Sequence, residues 1–181
     1  MSSARTSCSR GGSSVAEPAA YDDWAPWYDV TDGDRTPFVD FYGRLVGPAT
    51  RSLLELGCGT GTIGVALAQR MPYGARVAGV DESAGMLAVA DRRAPAYQWV
   101  QGDMRCPPVE GPFDLVLCCF NTLQLLPTDD DLLLALQSAR ALLADDGRFA
   151  FDVYLPNVAY LKVPQHDRLA RAVRDAEGRR L

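Results

Sequence analysis

Residues 53–70 read LLELGCGTGTIGVALAQR: an apolar run, glycines at 57, 59 and 61, then an amphipathic segment opening at Thr62. Such an order predicts a strand, a sharp turn and a helix, with bare backbone offered to a ligand at the turn. Upstream, RSLLEL (51–56) supplies the strand. Downstream, ARVAGVD (75–81) reads as a second strand, SAGMLAVADRRA (83–94) as a helix capped by Ser83, and YQWVQGD (97–103) as a third strand. FDLVLCCF (113–120) is a near-continuous apolar run suited to a strand covered on both faces. DDDLLLALQSARALLA (129–144) follows as a helix, with Thr128 and Asp131 resembling a capping box and Gly147 as its stop, and RFAFDVYL (148–155) is a fifth strand. Strands alternating with helices of about a dozen residues predict an α/β fold: an open, mostly parallel sheet with helices on both faces, and a ligand at the carboxyl ends of its strands.

Outside that core, residues 1–20 are rich in Ser, Gly and Ala and read as a disordered tail. They lack the apolar segment of a signal peptide; Arg5 and Arg10, with no acid before Glu17, leave a transit peptide as the alternative. Residues 21–50 are dense in aromatics and predict one or two short helices, with Pro26 and Pro37 in first turns. Residues 51–155 form the ligand-binding domain, and 156–181 the start of a substrate-side region.

Composition narrows the partners. The chain has 181 residues, 48% of them hydrophobic, and a net charge of -5, enough for one domain with a core. No Lys/Arg block follows a phosphate backbone, and no run reaches membrane-spanning length, so neither nucleic acid nor a membrane is expected. Cys8, Cys58, Cys106, Cys118 and Cys119 make an odd set without metal-ligand spacing, which reads as reduced thiols in a cytoplasmic protein without a metal.

The loop chemistry is more specific. Its spacing is GCGTG rather than G-x-G-x-x-G, and Glu55 stands two positions before the first glycine, where a carboxylate repels a pyrophosphate and attracts an ammonium. Asp81 ends the second strand, 24 residues beyond Gly57, where an acid accepts ribose hydroxyls. Asp103 ends the third. Together Glu55, Gly57 to Gly61, Asp81 and Asp103 resemble the class I S-adenosylmethionine-dependent methyltransferases, whose first motif is E-x-G-x-G-x-G; the match covers residues 51–155. The resemblance implies a Rossmann-like fold, S-adenosyl-L-methionine as cofactor and S-adenosyl-L-homocysteine as product. It places Glu55 toward the methionyl amine through the loop, Gly57, Cys58, Gly59 and Gly61 under the ligand, Asp81 on the ribose and Asp103 on the adenine amine. Glu82, Met86 and Met104 complete the nucleoside pocket, and Phe120 with Asn121 borders the transferred methyl.

On the acceptor side, the N/D-P-P-Y signature of base and glutamine N-methyltransferases is missing. NTLQLL (121–126) instead resembles the small-molecule branch, where a similar stretch opens a helix beside the pocket. Leu123, Leu125 and Leu126 are assigned to the core. Tyr21 and Tyr28 are candidates to close over the cofactor, with Trp24 and Trp27 packing on the sheet. Direct methyl displacement needs alignment more than acid-base groups, and bases are scarce, which favours nitrogen over oxygen or carbon as acceptor. His166 is the single histidine and the candidate base, with Asp152 and Tyr154 as alternatives. Cys58, Cys118 and Cys119 read as packing residues. Arg168, Arg171 and Arg174 interleave with acids and read as a solvated face.

Methyltransferases of this class finish with an antiparallel hairpin beyond the fifth strand, and residues 156–181 give no convincing reading of such a strand pair. That raises the expectation of a C-terminally incomplete domain whose uncovered edge strand promotes self-association. Two other readings stand beside methyl transfer to a small molecule: a cofactor-binding fragment without turnover, and an NAD(P)-dependent oxidoreductase.

Overall fold

The computed structural model describes residues 18–155 except position 32. Five strands, β1 (Ser52–Leu56), β2 (Arg76–Asp81), β3 (Gln98–Gln101), β4 (Phe113–Cys118) and β5 (Leu143–Phe151), form one parallel sheet in the order β3-β2-β1-β4-β5. The chain builds outward from β1 to β3, then returns to the other side of β1 for β4. This reversal leaves a crevice at the carboxyl ends of β1 and β4, where no crossover among the described residues covers the sheet.

Six helices accompany it among the described residues: α1 (Pro18–Trp24), α2 (Tyr28–Thr31), α3 (Thr36–Gly43), α4 (Thr62–Ala68), α5 (Ala84–Arg93) and α6 (Asp129–Leu142). Alternation along the strands splits the core in two. Leu53, Val77, Leu115 and Leu117 face α4 residues Ile63 and Leu67 together with Tyr42 of α3. Leu54, Ala78, Phe113 and Val116 face Ala135 and Ala139 of α6. Each fully buried large side chain contributes about 1.5–3 kcal/mol by leaving water, so the two-sided cover explains the near-continuous apolar run of β4, broken only by Asp114.

The caps behave as the sequence predicts. Ser83 accepts from the Met86 N–H, and Thr128 accepts from the Asp131 N–H; the Asp131 carboxylate returns to the Thr128 hydroxyl at 2.6 Å. Pro37 sits in the first turn of α3, but Pro26 lies between α1 and α2, and the aromatic segment makes three helices, the first starting at Pro18.

Gly147 departs from expectation. It does not stop α6, which ends at Leu142; it lies inside β5, which begins at Leu143. Phe113 pairs with Leu143 and Leu115 with Arg148, so β5 bulges there, and a Cβ at Gly147 would stand 2.8 Å from the Phe113 carbonyl oxygen. The glycine admits a close backbone approach, a need that resembles a helix stop in sequence.

Candidate active site

The three loop glycines are all left-handed, with φ of 67° at Gly57, 53° at Gly59 and 73° at Gly61. Each answers a different demand. A Cβ at Gly57 would collide with the Thr122 methyl, and one at Gly61 would lie 2.7 Å from the Trp99 ring. At Gly59 the nearest atom is on the Tyr28 ring, 3.9 Å away. Two glycines are therefore required by packing, and the third keeps space open. Gly57 and Cys58 both donate to the Val80 carbonyl, at 2.8 and 3.1 Å, which ties the loop to the end of β2.

Behind the loop, Glu55 is 2% exposed and accepts from the Gly64 N–H in the first turn of α4 at 2.9 Å. Burial pushes its carboxyl up to about 8, against the Gly64 and Cys119 hydrogen bonds and the positive charge of Arg35. Asp81 accepts from Gly59 N at 2.7 Å and from Ser83 N at 2.9 Å. Burial raises its pKa while those bonds oppose the shift, and its remaining lone pairs can take further donors. Glu82 beside it is raised by burial and by the Asp103 charge.

These elements enclose a cavity of about 350 Å³, within the usual size of a small-ligand site. Gly57 and Gly59 form its floor. Asp81, Glu82, Met86, Gly102 and Met104 line one end, Phe120, Asn121, Thr122 and Gln124 the other, and Tyr21 and Tyr28 the roof. Leu125 and Leu126 also line it; Leu123 keeps the expected core role, Leu126 packs on the core as well as lining the cavity, and Leu125 is exposed, while NTLQLL opens a 3-10 turn at Thr122–Leu125 rather than an α-helix. Trp24 and Trp27 are exposed and stay outside.

Four expected contributors sit elsewhere. Gly61 and Cys58 lie off the large cavity, Gly61 against Trp99 and Ala90. Glu55 instead borders a smaller recess on the other side of the loop, with Arg35, Tyr28 and Phe120. Asp103 is engaged by Arg105, whose guanidinium reaches it at 2.6 Å and Asp131 at 2.5 Å; its neighbours Gly102 and Met104 face the cavity in its place. His166 lies outside the described residues.

The β4 end takes an unusual path. Phe120 and Asn121 are both left-handed, with φ of 59° and 60°, a conformation costing roughly 1–2 kcal/mol per non-glycine residue. The Asp152 carboxylate accepts from both their N–H groups, at 2.9 and 3.0 Å, and charge-assisted bonds of about 1.5–3 kcal/mol each are large enough to hold the turn. Asp152 is thus occupied by backbone donors, which replaces the proton-acceptor role considered for it. Tyr154 is exposed and absent from the cavity lining. Burial raises the Cys58, Cys118 and Cys119 thiols, in keeping with packing roles.

Some residues at the site had no motif to announce them. Arg35, at the start of α3, stacks 4.1 Å from the Phe120 ring and 5.0 Å from the Tyr28 ring. Asp22 accepts from the Ser83 hydroxyl and from Gly85 N, at 2.5 and 2.7 Å, pinning α1 over the start of α5. Asp29 accepts from the Thr60 and Thr62 hydroxyls at 2.7 and 3.1 Å and pairs with Arg93, pinning α2 over the glycine loop. Burial works against the charge on Asp29, but these donors together hold its carboxyl below the usual range. Among the described residues, no three side chains are grouped to hold a metal ion, and no helix is long and apolar enough to cross a membrane.

The family of methyltransferase domains matches residues 53–147. The chain is 31% identical over 140 residues to the putative methyltransferase YqeM of Bacillus subtilis, covering 75% of this chain and 49% of that protein. To a trans-aconitate 2-methyltransferase of Methylobacterium nodulans it is 37% identical over 153 residues, 83% of this chain and 55% of the other. It thus spans about half the length of these curated relatives. Among solved structures, S-adenosylmethionine-bound CalS10, an amino pentose methyltransferase from Micromonospora echinaspora, is similar with a TM-score of 0.59 and 28% identity, covering 82% of this chain and 59% of that one.

Proposed function

The chain belongs to the methyltransferase-domain family, in its class I S-adenosylmethionine-dependent branch, and from that membership we propose that it transfers a methyl group to a small-molecule acceptor, nitrogen in preference to oxygen or carbon. The observation that carries the assignment is the paired arrangement of acid and bare backbone: Glu55 behind the loop, Asp81 at its far end, and an open face at Gly59 between them.

The residues fit the cofactor by their chemistry. Asp81, already oriented by two N–H donors, accepts the ribose hydroxyls, and Met86 and Met104 supply apolar walls for the base. Asp103 acts on the base through the Gly102–Met104 turn, since Arg105 holds its carboxylate. Glu55, giving up its proton as the ammonium arrives, supplies negative charge beneath the amine end, and Arg35 positive charge for a carboxylate. S-adenosylmethionine supplies an electrophilic methyl on a sulfonium leaving group. Tyr28 covers the loop and offers an aromatic face to positive charge. The Asn121 amide oxygen accepts an N–H from the incoming amine and so orients its lone pair, while Phe120 excludes water from one wall.

Nitrogen is favoured because the described cavity lining carries no lysine or arginine to hold an anionic acceptor. The trans-aconitate relatives motivate a second reading, methylation of a carboxylate oxygen. Formation of S-adenosylhomocysteine from S-adenosylmethionine, measured with a panel of amines and of di- and tricarboxylates, separates them. Turnover with amines supports the proposal; turnover confined to carboxylates overturns the nitrogen preference, and cofactor binding without turnover favours a non-catalytic role.

A further inference from the structure

The Asp152 carboxylate is central to a contact that the loop-and-acid motif does not involve. Its Oδ1 accepts from Phe120 N at 2.9 Å and from the Tyr42 hydroxyl at 2.5 Å, and its Oδ2 accepts from Asn121 N at 3.0 Å. Two successive left-handed residues direct their N–H groups to one side, and the carboxylate fills that nest. Tyr42 is fully buried in α3, and burial raises its pKa, so its hydroxyl remains a donor. The turn so held is positioned on three sides. The Phe120 ring packs on Phe38 of α3 with centroids 4.3 Å apart and lies under Arg35. Thr122 donates to the Cys119 carbonyl at 2.5 Å, while its methyl abuts Gly57. Phe120, Asn121 and Thr122 all line the cavity.

We propose that Asp152, oriented by Tyr42, is a positioning residue that locks the Phe120–Asn121 turn against the glycine loop and thereby shapes the methyl-transfer end of the cavity. The proposal rests on the methyltransferase reading only for what the cavity holds; the mechanical role of the carboxylate is independent of it. Asparagine at 152 keeps one acceptor and replaces the other with a donor facing an N–H, so the nest opens. Asn121→Gly removes the left-handed cost at 121 and leaves that of Phe120, so it offsets part of what the carboxylate holds.

The test follows amide hydrogen exchange and amide proton chemical shifts in the wild-type chain, Asp152→Asn, Asp152→Asn with Asn121→Gly, and Tyr42→Phe, with S-adenosylhomocysteine as the calorimetric probe. In Asp152→Asn the amide of Phe120 or Asn121 is expected to lose its downfield, charge-assisted shift and to exchange about tenfold faster, while Leu54 and Val80 in the central strands stay protected. The dissociation constant for S-adenosylhomocysteine rises about five- to tenfold and recovers in part, by about twofold or more, when Asn121→Gly is added. Unchanged signals at 120 and 121, or an affinity loss that the glycine does not rescue, overturns the proposal. If the wild type does not bind S-adenosylhomocysteine, the methyltransferase reading fails, and the amide signals alone decide the role of Asp152. If Asp152→Asn does not fold, Tyr42→Phe decides: faster exchange confined to residues 120 and 121 supports the proposal, and uniform loss of protection contradicts it.

Discussion

Replacing Gly59 with alanine separates what the loop needs for folding from what it needs for a ligand. The residue has φ of 53°, so the added Cβ costs about 1–2 kcal/mol of backbone strain. It meets nothing nearer than the Tyr28 ring at 3.9 Å, so no packing term is added. At roughly 3–5 °C per kcal/mol for a domain of this size, melting should fall by about 3–10 °C. Gly57→Ala carries the same strain plus a collision with the Thr122 methyl. Thr122 cannot rotate away without losing its bond to the Cys119 carbonyl, so a further 1–3 kcal/mol or so of overpacking is expected. Binding should rank the other way relative to stability. The Gly59 methyl projects toward the cavity and should weaken S-adenosylhomocysteine binding by about tenfold or more, equivalent to about 1.4 kcal/mol, in a protein that still folds. Melting curves by circular dichroism and titration calorimetry give both quantities. A Gly59→Ala protein that melts as low as Gly57→Ala, or that binds with wild-type affinity, would refute the division of labour among the glycines.

Two further predictions follow from the charges. Glu55 has a folded pKa of about 8 against an ordinary unfolded value, so its protonation stabilises the fold fully below pH ~4.5 and that contribution is lost as pH rises toward 8. Glu55→Gln should flatten the stability profile between those limits, and binding of an ammonium-bearing ligand near pH 7 should release a proton in wild type but not in the variant, read from calorimetric enthalpies in buffers of different ionisation heat. Equal profiles for the two proteins would contradict the burial argument. Asp29→Asn weakens the bonds from Thr60, Thr62 and Arg93, so it should lower stability by about 1–2 kcal/mol and speed S-adenosylhomocysteine dissociation in stopped-flow measurements; an unchanged off-rate would remove α2 from any role in retaining the ligand.

The parts of this protein legible in its sequence are those encoded locally. Each strand, each helix of the core and both caps could be read from periodicity and a neighbouring residue or two, and the acids at 55 and 81 are fixed relative to the glycines by strand register. What escaped reading depends on distant segments meeting. Tyr42 and Asp152 bond across 110 positions, Asp22 and Ser83 across 61, and Asp29 and Thr60 across 31, with no spacing rule to join them. Phenylalanine has no local reason to adopt a left-handed conformation, so the turn at 120 and 121 becomes intelligible only once Asp152 is seen beneath it. Asp103 shows the converse limit: its strand-end place is as predicted, but Arg105, two residues on, occupies its carboxylate. Gly147 reads as a helix stop in sequence because a bulge asks for the same residue.

Whether the cavity over Gly57–Gly59 holds an S-adenosyl nucleoside is decided by titrating the chain and its Asp81→Asn variant with S-adenosylhomocysteine while following melting, with NAD as control. A saturable rise is expected, corresponding to about 2.7 kcal/mol of stabilisation at 100 times the dissociation constant, weakened in the variant and absent with NAD. A cooperative melt that S-adenosylhomocysteine leaves unmoved at millimolar concentration would contradict it.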